Sequence, residues 1–402
     1  MRKILFFLYD FDGTGVTRNT IAIANACTED GYRAIIAVAK DDGPRRQDLH
    51  PKVKVVPLLK TPGPWSRPWN LMRAVGPLSR LLRQAQPHVF FSAGNHGHFA
   101  AILAHLAAGR AMPLVCRFSN DVRRPKARGW MGIEHRLVEF FAVRFQRMVV
   151  RHANQIITVS EELANRLRRL SPDHAVKITA IRNGVDPFPS EPVERPDHPW
   201  FHQGNIPIVL GIGRLKAQKN FEGLIKAAAQ AARTRPLRLM ILGQGSERAR
   251  KKLLKLAHRE GLGDHFALPG YQPNPEAYLR HSDLFVLSSH WEGAPNVLLE
   301  ALATGTAIVS TREACGAQEI LGGGTFGHLV SSLDIPAMAE AILASLDSRN
   351  PHQQVERKQW LENFSREQML SGYMAMLAQI SAKPLPVAAN TSSTIDKDAA
   401  IA

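Results

Sequence analysis

Cysteine is scarce: Cys27, Cys116 and Cys315 are the only three among 402 residues, they lie far apart, and none forms a C-x-x-C pair. An odd, dispersed set supports neither a disulfide framework nor a zinc site, and it fits a reducing compartment. Acidic residues are also in deficit, 35 Asp and Glu against 51 Lys and Arg, leaving a formal charge of +16. Such an excess implies an anionic partner: nucleic acid, an anionic membrane or a phosphorylated substrate. Long apolar runs are missing too, since nothing approaches the roughly 18 consecutive apolar residues of a membrane-spanning helix. Residues 1–8 look briefly like a leader, but Asp10 and Asp12 break the run and no small-residue cleavage site follows. They read as a first buried strand. With 45% apolar and 21% charged residues the composition is not that of a disordered chain. The length suits two or three domains at roughly 100 to 200 residues each.

What the chain does have is a repeated rhythm. Apolar runs of strand length occur at 4–8, 34–39, 53–58, 89–92, 114–117, 156–159 and 178–181, alternating with helix-like segments such as 17–28, 70–84 and 161–169. That alternation predicts a parallel sheet with helices on both faces. Six prolines then fall between 187 and 207, where ladder and helix hydrogen bonds are both blocked. Beyond them the rhythm restarts at 208–213, 237–242, 266–268, 284–287, 307–309 and 329–330. The expected organisation is a first Rossmann-like domain over 1–186, a linker over 187–206 and a second Rossmann-like domain over 207–365. A helix over 366–382 packs back toward the first domain, and 383–402 forms a disordered tail. Two doubly wound α/β domains would face one another across a cleft at the carboxyl ends of their strands, where ligands bind in such folds.

Three strand ends carry Gly-x-Gly: Gly13-Thr14-Gly15, Gly211-Ile212-Gly213 and Gly243-Gln244-Gly245. Each permits a tight turn and close approach to a ligand ahead of a helix N-terminus that attracts anions. The third glycine of the dinucleotide fingerprint is absent each time, replaced by Arg18, Lys216 and Arg248, which disfavours an NAD site. No Gly-x-x-x-x-Gly-Lys-Ser/Thr occurs either, which disfavours a P-loop ATPase.

The most informative stretch runs from Ser288 to Leu302: a strand end, a turn at Gly293, then a helix opening near Pro295. Glu292 falls in the loop and Glu300 on an early helical turn, while the free amides of Asn296, Val297 and Leu298 point toward the cleft with the positive end of the helix dipole. Such a place offers N–H donors to phosphate and carboxylates to hydroxyls, both of which a nucleotide sugar requires.

These residues resemble the Glu-x7-Glu motif of the family 4 retaining glycosyltransferases, enzymes of the GT-B architecture, and the resemblance covers nearly the whole chain apart from its tail. It implies that Glu300 holds the ribose hydroxyls of a nucleotide donor and Glu292 its sugar. Gly213-Arg214-Leu215 followed by Lys219 is similar to the family's diphosphate grip, which implies that Arg214 and Lys219 bind the leaving group and stabilise its charge. Gly15 and Arg18 sit where the family's glycine loop lies under the diphosphate, and Gly243 closes the third turn. Weaker matches are Asn183-Gly184-Val185-Asp186 and Gly316-Ala317-Gln318-Glu319, the latter pointing to Glu319. Where many members have a histidine after the strand at 114–117, this chain has Phe118-Ser119-Asn120-Asp121, so Ser119, Asn120 or the nearby His96 would take its place. Retention of configuration is implied by the resemblance alone.

Asp10-Phe11-Asp12 reads as Asp-x-Asp, but at the first strand end of a Rossmann-like domain; with Arg214 and Lys219 to meet the diphosphate charge, the expectation is metal independence and no cofactor. Between Arg117 and Arg151 nine Lys or Arg (117, 123, 124, 126, 128, 136, 144, 147, 151) stand against Asp121, Glu134 and Glu139, interleaved with Trp130, Phe140, Phe141 and Phe145. Cations beside aromatics suit an anionic membrane surface, although an ordinary amphipathic helix gives the same pattern. Nucleic acid is disfavoured as a partner because no binding module is recognisable. The expected activity is transfer of a sugar from a nucleotide diphosphate donor, UDP-linked, to a lipid-linked or glycan acceptor in cell-surface glycan synthesis. The protein would sit in the cytoplasm, on the inner face of the membrane. An epimerase or isomerase acting on nucleotide sugars, and a non-catalytic sugar-nucleotide or lipid-binding protein, are the alternatives.

Overall fold

The computed structural model describes residues 1–60, 67–121, 131–186, 193–202, 204–347 and 353–382, with 131–138 and 353–354 described by their backbone only. Residues 187–192 and 203 of the expected linker, the cations Arg123, Arg124, Lys126 and Arg128 with Trp130, and the expected tail 383–402 lie outside the described residues.

Two all-parallel sheets account for the apolar runs. The first joins β1 (Lys3–Leu8), β2 (Arg33–Val38), β3 (Lys54–Pro57), β4 (Val89–Ser92), β5 (Leu114–Phe118), β6 (Gln155–Thr158) and β7 (Ile178–Ala180) in the order β3-β2-β1-β4-β5-β6-β7. The second joins β8 (Ile208–Ile212), β9 (Arg238–Leu242), β10 (Phe266–Gly270), β11 (Leu284–Leu287), β12 (Ala307–Thr311) and β13 (His328–Val330) in the order β10-β9-β8-β11-β12-β13. In β1, Leu5 and Phe7 enter one buried cluster while Ile4, Phe6 and Leu8 enter another, so the strand is covered on both faces and carries no polar alternation. Each sheet reverses its strand order beside its first strand, between β1 and β4 and between β8 and β11, which opens a crevice at the strands' carboxyl ends.

Helices cover both faces: α1 (Gly15–Glu29), α2 (Arg67–Ala85), α3 (His98–Ala107), α4 (Met131–His152), α5 (Glu161–Leu170), α6 (Phe221–Ala232), α7 (Glu247–Arg259), α8 (Pro275–His281), α9 (Asn296–Thr304), α10 (Ala317–Ile320), α11 (Ile335–Asp347), α12 (Gln353–Glu362) and α13 (Arg366–Ala382). Local chemistry sets several starts. Thr14 caps α1 by accepting from Thr17 N, Ser160 caps α5 through Leu163 N, and Ser246 caps α7 through Ala249 N. No helix among the described residues is long and apolar enough to cross a membrane.

The chain passes between the two halves at two adjacent places. Val185 N donates to Phe364 O at 2.9 Å, Arg366 N donates to Val185 O at 3.1 Å, and Arg366 pairs with Asp186. Beyond this crossing α13 leaves the second half and lies against α1 and β4, placing Met369, Tyr373, Met376 and Leu377 in the same cluster as β1. The fully buried Tyr373 hydroxyl accepts from Arg117 Nε at 2.8 Å.

Removing that acceptor leaves a buried guanidinium short of a partner, so Tyr373→Phe is expected to lower stability by about 1.5 to 3 kcal/mol. The midpoint of urea unfolding checks it; an unchanged midpoint would mean that the bond contributes nothing to the fold.

Candidate active site

The carboxyl ends of β1, β4, β5, β8, β9 and β11 surround a cavity of about 460 Å3. That is within the range of small-molecule sites. Its charged lining is Arg18, Arg45, Arg67, Arg117, Arg214 and Lys219 against Asp10, Asp12, Glu292 and Glu300, a cationic surplus.

The second-domain wall is built on three glycine turns laced together by backbone bonds. Gly213 N donates to Leu242 O at 2.9 Å, Leu215 N to Gln244 O at 2.7 Å and Gly243 N to Gly270 O at 2.8 Å. Gly243 has φ +148°, and a Cβ there would fall 1.8 Å from Gly213 O, so the two turns pack backbone on backbone. The loop after β8 is tied to the loop after β11: Gln218 Nε2 donates to Trp291 O at 2.8 Å and Ser288 Oγ to Lys219 O at 2.7 Å. This seats Lys219 Nζ 2.7 Å from Glu292 Oε1, which also accepts from Ser289 Oγ at 2.9 Å. Arg214 lines the same cavity. Glu300 projects from α9 and meets Arg18 of α1 across the cleft at 2.7 Å. Four residues separated by up to 282 positions therefore form two ion pairs, one inside the second domain and one between the domains.

Asn296 opens α9 and lines the cavity with Val297. A Cβ on Gly15 would come 2.5 Å from Asn296 Nδ2, so the glycine permits α1 and α9 to meet end to end. Leu298 departs from the expectation. Its N–H is spent on Pro295 O at 3.0 Å and its side chain is fully buried in the second-domain core, because the first turn of α9 tightens onto the proline carbonyl. Glu319 is also displaced from its expected place. It lies outside the cavity lining, accepts from Glu161 N at 3.0 Å and pairs with Arg182, so it ties the domains together at the start of α5.

On the first-domain wall the end of β5 turns through Ser119 and Asn120, both in the cavity lining along with His96. Asn95 holds this turn: its Oδ1 accepts from Ser119 N at 2.8 Å and Ser119 Oγ at 3.1 Å, and its Nδ2 donates to Asn120 O at 2.9 Å. Asn120 Oδ1 is buried with no hydrogen-bond partner among the described residues. Burial holds the His96 imidazole below its ordinary pKa, reinforced by the charges of Arg67, Arg214 and Lys216, so it is neutral at pH 7. Gly293 crosses over this same turn; a Cβ on it would fall 2.2 Å from Ser119 O.

Sequence reasoning named two residues beneath, Arg117 and Asn183, only as part of a cation run and of a weak motif match, and missed what joins them. Arg117 lies within the apolar strand β5, only 1% exposed, and its Nη2 donates to Asn183 Oδ1 at 2.8 Å. Asn19 Nδ2 donates to the same oxygen at 2.9 Å, while Asn183 Nδ2 reaches Asn296 Oδ1 at 2.8 Å and Ala294 O at 3.2 Å. The available signal was a charged residue inside a run otherwise reading as a buried strand. Among the described residues no group of three or more His, Cys, Asp or Glu side chains is placed to hold a metal ion.

Gly31 has φ +81° and open space around the position of a Cβ, whereas Gly243 combines positive φ with a backbone collision. Gly31→Ala should therefore lose only the roughly 1 to 2 kcal/mol of a left-handed residue, and Gly243→Ala more than that. Equal shifts in the unfolding midpoint would refute the close packing of the two turns.

Two family models match in tandem: Glycosyltransferase Family 4 over residues 13–187 and Glycosyl transferases group 1 over residues 194–362. The chain is similar to the lipopolysaccharide core biosynthesis glycosyltransferase LpsE of Rhizobium meliloti, 34% identical over 177 residues that make 43% of this chain and 50% of LpsE. It is also similar to the N-acetylgalactosamine-N,N'-diacetylbacillosaminyl-diphospho-undecaprenol 4-alpha-N-acetylgalactosaminyltransferase of Campylobacter jejuni, 34% identical over 139 residues, 35% of this chain and 37% of that enzyme. The matched segments thus span half or less of these relatives. Among solved structures, Anabaena Alr3699/HepE in complex with UDP-glucose superimposes with a TM-score of 0.73 over 94% of this chain and 100% of its own, at 18% identity, a likeness of fold. With the tandem models spanning both sheets and this two-domain architecture, the chain belongs to glycosyltransferase family 4 and has the GT-B fold.

Proposed function

We propose that the protein is a retaining glycosyltransferase that transfers a sugar from a UDP-sugar to a lipid-linked or glycan acceptor in cell-surface glycan synthesis. The observation that carries this reading is the pairing of Lys219 with Glu292 and of Arg18 with Glu300 around one cavity that Arg214 and the start of α9 also line. HepE has been seen in complex with UDP-glucose, LpsE is named a glycosyltransferase of lipopolysaccharide core biosynthesis, and the name of the Campylobacter enzyme contains a diphospho-undecaprenol.

Breaking the bond between sugar and diphosphate builds positive charge on the sugar and negative charge on the leaving phosphate. Arg214 and Lys219 are placed to meet the second, with the positive end of the α9 dipole behind them. Glu292 lies beside Lys219 as an acceptor for donor-sugar hydroxyls, and Glu300 in the same way takes the ribose hydroxyls. Binding then exchanges partners: each cation passes from a glutamate to phosphate, and each glutamate from a cation to hydroxyls. After the exchange each charged group still has a hydrogen-bonding partner, so none is left buried and unpaired. On this reading the two cations replace a divalent metal, and the departing phosphate oxygen takes the proton of the attacking acceptor hydroxyl on the same face. The acceptor enters along the first-domain wall, past His96, Ser119 and Asn120.

We place the protein in the cytoplasm, against the inner face of an anionic membrane. The support is on α4, where Phe145 packs inward while Phe140 and Phe141 are 54% and 65% exposed and Arg144 lies over the Phe140 ring at 5.7 Å. Exposed aromatics beside a cation suit a lipid interface.

With EDTA present, wild-type protein should transfer sugar from a UDP-sugar, and Glu300→Ala and Lys219→Ala should each lower turnover or donor binding on the order of a hundredfold with the fold retained. Wild-type-like transfer by both variants would sink the site assignment, and conversion of the donor sugar without any acceptor would give the isomerase reading instead. Separately, the Phe140→Ser, Phe141→Ser double variant should float poorly with anionic vesicles; unchanged flotation would remove α4 from the membrane face.

A further inference from the structure

The donor diphosphate accounts for Arg214 and Lys219, yet the cavity holds a further cation on the opposite wall. Arg67, at the start of α2, lays its guanidinium over the Tyr9 ring at 4.3 Å. Stacking fixes the plane of the group and leaves its edge to choose partners. The carboxylate it faces, Asp10 Oδ2, is 3.5 Å from Nη2, longer than a charge-assisted hydrogen bond. Its Nε is buried with no hydrogen-bond partner among the described residues. The side chain as a whole is 37% exposed and lines the cavity, so the rest of the guanidinium is within reach of an acceptor that enters it.

The neighbours favour an anion as that acceptor. His96 and Arg214 share the cavity with Arg67, and Arg214 has no ion pair among the described residues. The charges of Arg214 and Arg67 push the Lys216 ammonium below its ordinary pKa, and Arg67 and Arg214 together help to keep His96 uncharged, so cations from both walls crowd one space. Asp10 is a poor remedy, since burial raises its own pKa against the pull of Arg67. A nucleotide diphosphate held by the second domain relieves Arg214; Arg67 remains, on the wall along which the acceptor enters.

We propose that Arg67, with His96 in the same cavity lining, forms a second anion subsite that binds a phosphate group carried by the acceptor. The inference rests on the donor reading given above. The flat edge of a guanidinium fits two oxygens of a tetrahedral phosphate, and a fixed charge on the first-domain wall would select phosphorylated acceptors and set the distance between that phosphate and the attacking hydroxyl.

Inorganic phosphate titrated into protein saturated with UDP is the test, read by calorimetry. Saturable binding is expected, weakened at least about tenfold in Arg67→Gln while UDP affinity changes less than about twofold. Absence of phosphate binding beside UDP, equal binding by the variant, or an equal loss of UDP affinity would each overturn the proposal, the last by moving Arg67 to the donor. Competition separates the sources: displacement by a hexose phosphate assigns a phosphorylated glycan, displacement by a polyprenyl phosphate in micelles a lipid-linked acceptor, and displacement by neither overturns the subsite. Wild-type protein that fails to bind UDP sinks the donor reading alone, because the difference in phosphate binding between wild type and Arg67→Gln is still read without nucleotide.

Discussion

At the centre of the cleft the two domains are joined through one buried side-chain amide. Asn183 accepts twice through Oδ1, from Asn19 and Arg117 of the first domain, and donates twice through Nδ2, to Asn296 and Ala294 of the second. Both lone pairs and both hydrogens are spent, so the amide has one orientation and each end reads a different domain. The charge of Arg117 is held in turn by Tyr373, with a further nitrogen, Nη1, buried and unpartnered. A polar network of this kind fixes geometry more than it adds stability, because any shift strands a buried donor. It fixes the feature that matters here, the distance between the start of α1 and the start of α9.

Once that distance is set, the electrostatics of the cleft follow. Arg18 reaches Glu300 only because Gly15 lets α1 approach Asn296. Lys219 reaches Glu292 because the loops after β8 and β11 are stitched by Gln218 and Ser288. The glutamates hold Lys219 and Arg18 in place at the cavity wall. A ligand with phosphates at one end and hydroxyls at the other then finds partners already positioned, which lowers the ordering cost of binding.

The sheets were legible in the sequence because parallel strands buried on both faces appear as uninterrupted apolar runs; β4 at Val89–Ser92 and β11 at Leu284–Leu287 fall where the runs predict. Glu292, Glu300, Arg214 and Lys219 were legible as motif residues, and the cavity gathers all four. Leu298 was misplaced because an amide can be consumed by a tightened first turn, which no spacing reveals. Glu319 was misplaced because its partners, Glu161 and Arg182, lie 158 and 137 positions away. The roles of Asn183 and Arg117 escaped for the same reason, although a weak motif match and a run of cations had named the residues: they arise from contacts among residues 19, 117, 183, 296 and 373.

The return of α13 to the first sheet has a consequence for how the chain is made. Met369, Tyr373, Met376 and Leu377 share a buried cluster with Ile4, Phe6 and Leu8, which are synthesised long before them. Domains of most proteins complete themselves in order of synthesis. Here the first domain must wait, with part of one face of its sheet uncovered and with Arg117 lacking its phenol partner, until α13 has emerged. The second domain, whose buried cluster ends at Phe364 just before α13, can close its core before the first one can.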